Sequence, residues 1–212
     1  MAFNIHNSHR AIFLVPAVMY VVLVIVIAIL PAITAQQADE AYEPPIMTES
    51  ETWGRHLYAN VYNCVPCHTM QIRGDSRRAS ELDGAVPVLP ADSRFGLERP
   101  TTAAEFAHLE APAIGTQRTG PDLSSVGRRL PGPQWHFWHL YDPRSVSPGS
   151  TMEAYPYLFS TTKPEPKNGV DPMLVESIED LGVGGTELWA TPEAVALVDY
   201  LLSLTRERAE GP

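Results

Sequence analysis

Apolar positions fall into two regimes along the chain. From Ala11 to Ile33 run 23 residues without a charge. At about 1.5 Å of helical rise per residue, such a run crosses a hydrocarbon core of roughly 30 Å. A cleaved signal peptide has an apolar region of only about 7–15 residues, so an uncleaved anchor is predicted. Pro16 is expected in the first turn, where its missing N–H does little harm, and Pro31 at the exit. Beyond the anchor the apolar residues become periodic. Thr48-x-x-Glu51 is a capping-box pattern opening a helix to about Asn60, with Trp53, Leu57 and Val61 on one face. Gly54 and Tyr58 fall on the adjacent stripe, and a glycine there admits a second helix. That partner is predicted near the end of the chain. Thr191-Pro192 supplies an N-cap and a proline at the first helical position, and Ala194, Leu197, Val198 and Leu201 repeat at helical spacing.

Between these helices the pattern weakens. Residues 34–47 are polar, contain Pro44-Pro45, and read as a linker. Residues 74–113 are rich in Pro, Asp, Arg and Ala and long for a structureless loop. Within them a short helix between Leu97 and Leu109 is predicted, capped by Thr101 or Thr102. Trp135 to Leu140 reads as helical, ending at Asp142-Pro143-Arg144. The expected organisation is an anchor at 1–33, a linker at 34–47 and one domain at 48–212. The fold class is mainly α with long irregular loops, in keeping with 20 prolines in 212 residues.

Charge narrows the partners. The full chain carries a net −10, and the anchor contributes one basic side chain, Arg10, and no acid. That balance excludes nucleic acid, which requires a basic surface, and permits docking with a basic protein. Arg10 precedes the anchor while Asp39, Glu40 and Glu43 come after it. Basic residues favour the cytoplasmic side, so the domain is expected outside the cytoplasm.

The chemistry sits in Cys64-Val65-Pro66-Cys67-His68, a C-x-x-C-H. This is the signature of covalent c-type haem attachment. Two thiols one helical turn apart each add to a vinyl group, and the adjoining histidine becomes an axial ligand of the iron. A zinc site would need about four ligands, and no second Cys/His cluster appears. A redox dithiol is expected near a βαβ pattern, which is also absent. Gly120-Pro121-Asp122-Leu123 offers a proline carbonyl that can accept Nδ1–H of the ligating histidine, fixing its ring. For the sixth ligand, a methionine on a loop is required. Met1, Met19 and Met47 are in or before the anchor and linker, and Met70 is too close to His68. Met152 is favoured over Met173 because Pro148-Gly149 precedes it and aromatics come after it; Met173 is read as packing. His6, His9, His56, His108, His136 and His139 are read as surface or packing residues, although His136 and His139 share a helix face.

These motifs in this order resemble the mono-haem subunit (subunit II, FixO/CcoO-type) of cbb3-type cytochrome c oxidases. Gly54-Arg55-His56-Leu57-Tyr58 resembles the family's G-R-x-L-Y, and Cys67 to Arg73 its C-H-T-Q-M-I-R with two residues exchanged. Arg118 to Leu123 with Val126-Gly127 matches R-T-G-P-D-L-x-x-V-G. Trp135-His136, His139-Leu140 and Pro143-Arg144 fit W-H-x-x-H-L-x-x-P-R, Met152 to Leu158 is similar to M-P-x-Y-P-W-L, and Leu181-Gly182-Val183 to a further L-G-V. The chain departs at Glu153, where the family has proline, at Asp142, where it has asparagine, and in residues 74–93, which look like an insertion.

The resemblance implies a class I cytochrome c domain in the periplasm, held on the inner membrane with a cytoplasmic N-terminus. It implies one covalently attached haem c, on Cys64 and Cys67, with His68 and Met152 as metal ligands and Pro121 orienting His68. Arg118 and Arg73 become candidates to pair with haem propionates, since a guanidinium binds carboxylate bidentately. The chain would catalyse nothing itself. It would pass electrons from a further cytochrome c subunit or soluble donor cytochrome to a polytopic haem–copper catalytic subunit. The alternatives are the cytochrome subunit of a nitric oxide reductase, a free anchored shuttle, and a haem-free thiol oxidoreductase. A carboxylate at Glu153 that is ionised and points toward the haem would favour the ferric state.

Overall fold

A computed structural model of the chain describes residues 9–33, 45–81, 86–97, 99–107, 113–176 and 187–206. His6, His108, most of the linker, Leu181-Gly182-Val183 and the end of the helix expected to reach Leu109 lie outside the described residues. The chain divides into two compact units, one of residues 1–44 with 102–110, the other of 45–101 with 111–212.

In the first unit, α1 (His9–Val24) continues through a wide π turn (Ile25–Ile29) and on to residue 33. Its segment Ile12–Ile33 has a mean hydropathy of 3.1 and is long and apolar enough to cross a membrane. The side chains from Ile12 to Leu30 are largely exposed, which in water would be costly and in lipid is not. Pro16 differs from expectation, while Pro31 lies near the end of the span as expected. Pro16 lies inside the helix, because the helix already starts at His9. Pro31 does not end it. The N–H of Leu30 reaches back to the Ile25 carbonyl, and this wider turn absorbs the backbone displacement that a proline imposes on the preceding turn. The unit also holds α2 (Ala104–Ala107), a single turn whose entry is closed by Glu105 accepting from the Thr102 N–H at 2.9 Å.

The second unit is built on two crossing helices. The first, α3 (Glu49–His56), ends in another π turn (Leu57–Val61). Its N-terminus carries the predicted reciprocal cap: Glu51 N–H donates to Thr48 Oγ1 at 3.2 Å and Thr48 N–H to Glu51 Oε2 at 2.6 Å. The helix buries Gly54, Leu57 and Tyr58, while Val61 is half-exposed at 52%. An i→i+5 turn rotates the residues after it away from 3.6-residue spacing, which explains why Val61 leaves the face that Leu57 occupies. The second helix, closing the domain, packs Ala196 and Tyr200 against Gly54, where any Cβ would overlap the Ala196 carbonyl oxygen.

Three short helices fill the middle: α4 (Val126–Arg129), α5 (Pro133–Tyr141) and α6 (Pro143–Val146). Asp142 separates the last two and caps α6 by accepting from Arg144 N–H at 3.1 Å, a contact the family's asparagine would also make. Next in the chain comes a three-stranded antiparallel sheet, which the sequence did not signal. Its strands are β1 (Phe159–Ser160), β2 (Met173–Glu176) and β3 (Leu188–Ala190), in the order β1-β3-β2. Met173, expected as packing, is 39% exposed on β2. The closing helix α7 (Pro192–Ser203) is capped by Thr191 and buries eight residues, among them Ala194, Leu197, Val198, Tyr200 and Leu201. The unit is mainly helical, as expected, with the small sheet added between the Met152 loop and α7 in the chain.

Candidate functional site

The end of α3 delivers the cysteine motif. Asn63 adopts a left-handed φ of 53°, a conformation asparagine tolerates better than most residues, and the chain turns into Cys64. The N–H groups of Cys67 and His68 both donate to the Cys64 carbonyl, at 3.2 and 3.0 Å. One turn therefore carries both thiols and the imidazole. Neither cysteine is in a disulfide. Burial, helped by Cys67, pushes the Cys64 thiol up to about 12. A reactive redox dithiol carries the opposite shift.

His68 is oriented by the segment that begins at Arg118. Its Nδ1 lies 2.9 Å from the Pro121 carbonyl oxygen; with the proton there, Nε2 remains for a metal. Gly120 lies flat against the ring, where a Cβ would collide with Cε1 and both nitrogens. Gly115, at φ 82°, passes as closely over the His68 carbonyl. Burial lowers the pKa of His68, with the Pro121 carbonyl and Asp122 opposing, which favours the neutral, ligand-competent ring.

An apolar cleft opens beside this turn. Its void, open solvent at the mouth included, is about 610 Å³. Cys64, His68, Pro121 and Met152 share its lining with Leu123, Leu140 and Leu197. Met152 is held from both sides. Its N–H donates to Ser150 Oγ at 3.2 Å, and further on Tyr155 N–H donates to the Leu140 carbonyl at 2.8 Å. Met70, by contrast, is buried and accepts from Tyr200 Oη at 3.3 Å. Glu153 is exposed and outside the cleft lining, so its carboxylate does not point inward.

The residues fit a large, mostly apolar cofactor with a few polar edges. Tyr58 Oη, Arg129 Nε and His139 Nδ1 all belong to residues of the cleft wall, are buried, and have no hydrogen-bond partner among the described residues. Buried polar groups normally find partners; three orphans around one cleft are what a missing cofactor would leave. No group of three or more His, Cys, Asp or Glu side chains able to hold a bare metal ion occurs among the described residues.

The two predicted arginines are placed differently. Arg73 pairs with Asp92, through Nε at 3.2 Å and Nη2 at 2.8 Å, and lines neither the apolar cleft nor the polar one beside it. Arg118 does line the polar cleft, with Arg94, Phe95 and Arg129. Its nitrogens, however, are engaged by Thr69 Oγ1 at 2.8 Å, Asp92, the Gln71 carbonyl and Asp122. Burial alone would raise the pKa of Asp92, but the hydrogen bonds from Arg73 and Arg118 outweigh it and hold the carboxyl far below the usual range. The residue that sequence reasoning missed is Arg129. It lines both clefts, donates from Nη2 to the Asp122 carbonyl at 2.8 Å, and its Nε has no partner among the described residues.

Two thiols and an imidazole on one turn, with a methionine lining the same apolar cleft, suit the class of small mono-haem domains. Comparison with known families then gives the particular one. The chain belongs to the cytochrome c oxidase, mono-heme subunit/FixO family, whose model matches residues 4–187. No curated protein matches it. Membership makes the chain a mono-haem subunit of a cytochrome c oxidase complex, with an N-terminal helix suited to a single-pass anchor.

Proposed function

We propose that this chain is the periplasmic electron-transfer subunit of a cbb3-type haem–copper oxidase. The observation that carries the reading is the shared cleft. His68, its Nδ1 set on Pro121, lines the same cavity as Met152, and the two thiols lie on the His68 turn. Cys64 and Cys67 would hold haem c through thioethers, His68 Nε2 and Met152 Sδ would ligate its iron, and the bound haem would supply a one-electron couple. Arg129 takes the role first expected of Arg73, offering its Nε to a propionate, with Arg118 behind it. The apolar walls keep water from the iron, which favours the reduced state. Tyr62, Tyr155 and Tyr157 form a mutual cluster beside Cys64, with ring centroids 5.8–6.2 Å apart, at the edge where electrons would pass. Oxygen reduction belongs to the catalytic partner.

In this organisation residues 1–33 anchor the chain with the N-terminus in the cytoplasm, 34–47 link, and 48–212 stand in the periplasm. Detergent purification of the tagged chain tests the assignment. Co-purification of a polytopic subunit containing haem and copper, with a c-type α-band from this chain, is expected. A companion with non-haem iron would make it a nitric oxide reductase subunit, and no companion a free shuttle. A colourless chain from cells competent in c-type maturation would overturn the haem reading.

A further inference from the structure

The polar cleft beside the apolar one gathers cations. Arg94, Arg118 and Arg129 line it, Thr119 adds a hydroxyl, and no acid is among its described lining residues. One ring holds the three arginines together. Their guanidinium carbons lie 4.9, 5.4 and 5.6 Å from the Phe95 ring centroid. Phe95 is buried and its carbonyl accepts from Ser125 Oγ at 2.7 Å, so the ring is a fixed platform.

The three charges on that platform are not equivalent. Arg118 is matched by the buried carboxylates of Asp92 and Asp122. Arg129 donates to Asp122 at the backbone carbonyl, and its buried Nε has no partner among the described residues. Burial lowers the pKa of Arg129, with Asp122 opposing. Arg94 is exposed and, among the described residues, has no hydrogen bond or ion pair, only the Phe95 ring. Two guanidiniums with free donors therefore share one cleft. Like charges gathered on one ring repel, and the ring face attracts each of them only weakly. An anion between them removes the repulsion and takes up the donors.

We propose that the polar cleft is a binding site for a carboxylate or phosphate oxyanion, gripped by Arg94 and Arg129. A guanidinium offers such an anion two parallel N–H donors. Two sources share this chemistry. Arg129 and Pro121 also line the apolar cleft, so a haem propionate is one. Phosphate from solution, entering past the exposed Arg94 and Thr119, is the other. The first source rests on the haem reading above; the site itself rests on the arginines alone.

The test uses the full-length holoprotein in detergent, comparing the parent with Arg94→Gln. Arg128→Gln is the control of equal charge, since Arg128 is exposed, adjoins Arg129 and lines neither cleft. Inorganic phosphate is titrated calorimetrically in a cationic buffer, and resonance Raman spectra are taken without phosphate. With phosphate as the occupant, the parent should bind it saturably, Arg94→Gln about tenfold or more weakly, and Arg128→Gln less than about threefold more weakly. With the haem as the source, phosphate should not bind, and the propionate-bending band should shift in Arg94→Gln but not in Arg128→Gln. Phosphate affinity indifferent to Arg94, or no binding at all, together with an unmoved band overturns the proposal. A chain without a c-type α-band defeats the haem reading instead, and the phosphate titration then decides the site.

Discussion

Removing the carboxylate of Asp92 should unfold the loop from the haem domain, and the size of the effect can be worked from its surroundings. Asp92 is fully buried. It accepts from Arg73 N–H at 2.8 Å, Arg73 Nε at 3.2 Å, Arg73 Nη2 at 2.8 Å, and Arg118 Nη1. The Arg73 side chain is about half exposed at 49%, so its share is discounted for solvent screening. Arg118 is 14% exposed, and without Asp92 its charge loses its nearest carboxylate. Breaking a buried pair by deleting one member costs about 3–5 kcal/mol. For a domain of this size each kcal/mol moves Tm by about 2–4 °C. Asp92→Ala should therefore melt well below the parent, by roughly 6–20 °C, whereas Arg77→Ala, at an 89% exposed side chain paired with Asp75, should stay within about 0.5 kcal/mol. Far-UV circular dichroism melts of the holoprotein provide the measurement. The sign with pH is fixed as well. Asp92 is depressed in the folded state, so its contribution is present above the unfolded pKa of about 3.9 and is lost as pH falls through the folded value. The parent should lose stability below about pH 4 more steeply than Asp92→Ala. A loss under about 1 kcal/mol, or identical acid limbs, would refute the account.

Single contacts set the other expected outcomes. Gly54→Val should cost about 1–3 kcal/mol or more, because its side chain must displace the Ala196 carbonyl where α3 and α7 cross; guanidinium denaturation reads this directly. Gly120→Ala should leave haem attached but push the His68 ring off Pro121, giving a mixed-spin spectrum in place of a pure low-spin one. Met152→Ala should keep the haem, lower its potential and let added ligands such as cyanide bind; an unchanged potential would move the sixth ligand elsewhere.

Much of this fold was legible because its signals are local. The capping box at Thr48, the Thr191 cap and the close approach at Gly54 each need only a few residues and one helical period. The hydrogen bond between His68 and Pro121 joins positions 53 residues apart, yet each half lies in a motif that points to the other. The features that escaped notice lack such marks. The π turn at Leu57–Val61 has no residue signature and moves Val61 to the surface. The strands Phe159–Ser160 and Leu188–Ala190 are two and three residues long, too short for alternation to register. Arg128 and Arg129 are adjacent in sequence; only the fold turns one outward and the other toward the cleft. Asp92 sits in a stretch read as an insertion of unassigned role, and nothing in its neighbours announces that two arginines will close on it.

That stretch explains an asymmetry in the site. On the histidine side, residues 69–73 are gripped by two buried carboxylates. Asp122 accepts from Thr69 Oγ1 at 2.6 Å and Gln71 N–H at 2.9 Å, and Asp92 accepts from Arg73 N–H at 2.8 Å. Arg118 bridges both acids, and its guanidinium lies 5.4 Å from the Phe95 ring centroid, a ring that Arg94 and Arg129 also flank. Ser125 Oγ, two residues beyond the G-P-D-L segment, then donates to the Phe95 carbonyl at 2.7 Å. The polypeptide thus fixes the imidazole with its own contacts. In the Met152 loop, by contrast, there is one turn at Ser150 and one tie at Leu140. A thioether held by these two contacts depends on its own loop, so substitution of Ser150 should alter the potential, and substitutions near Asp92 should alter stability while leaving the potential almost unchanged.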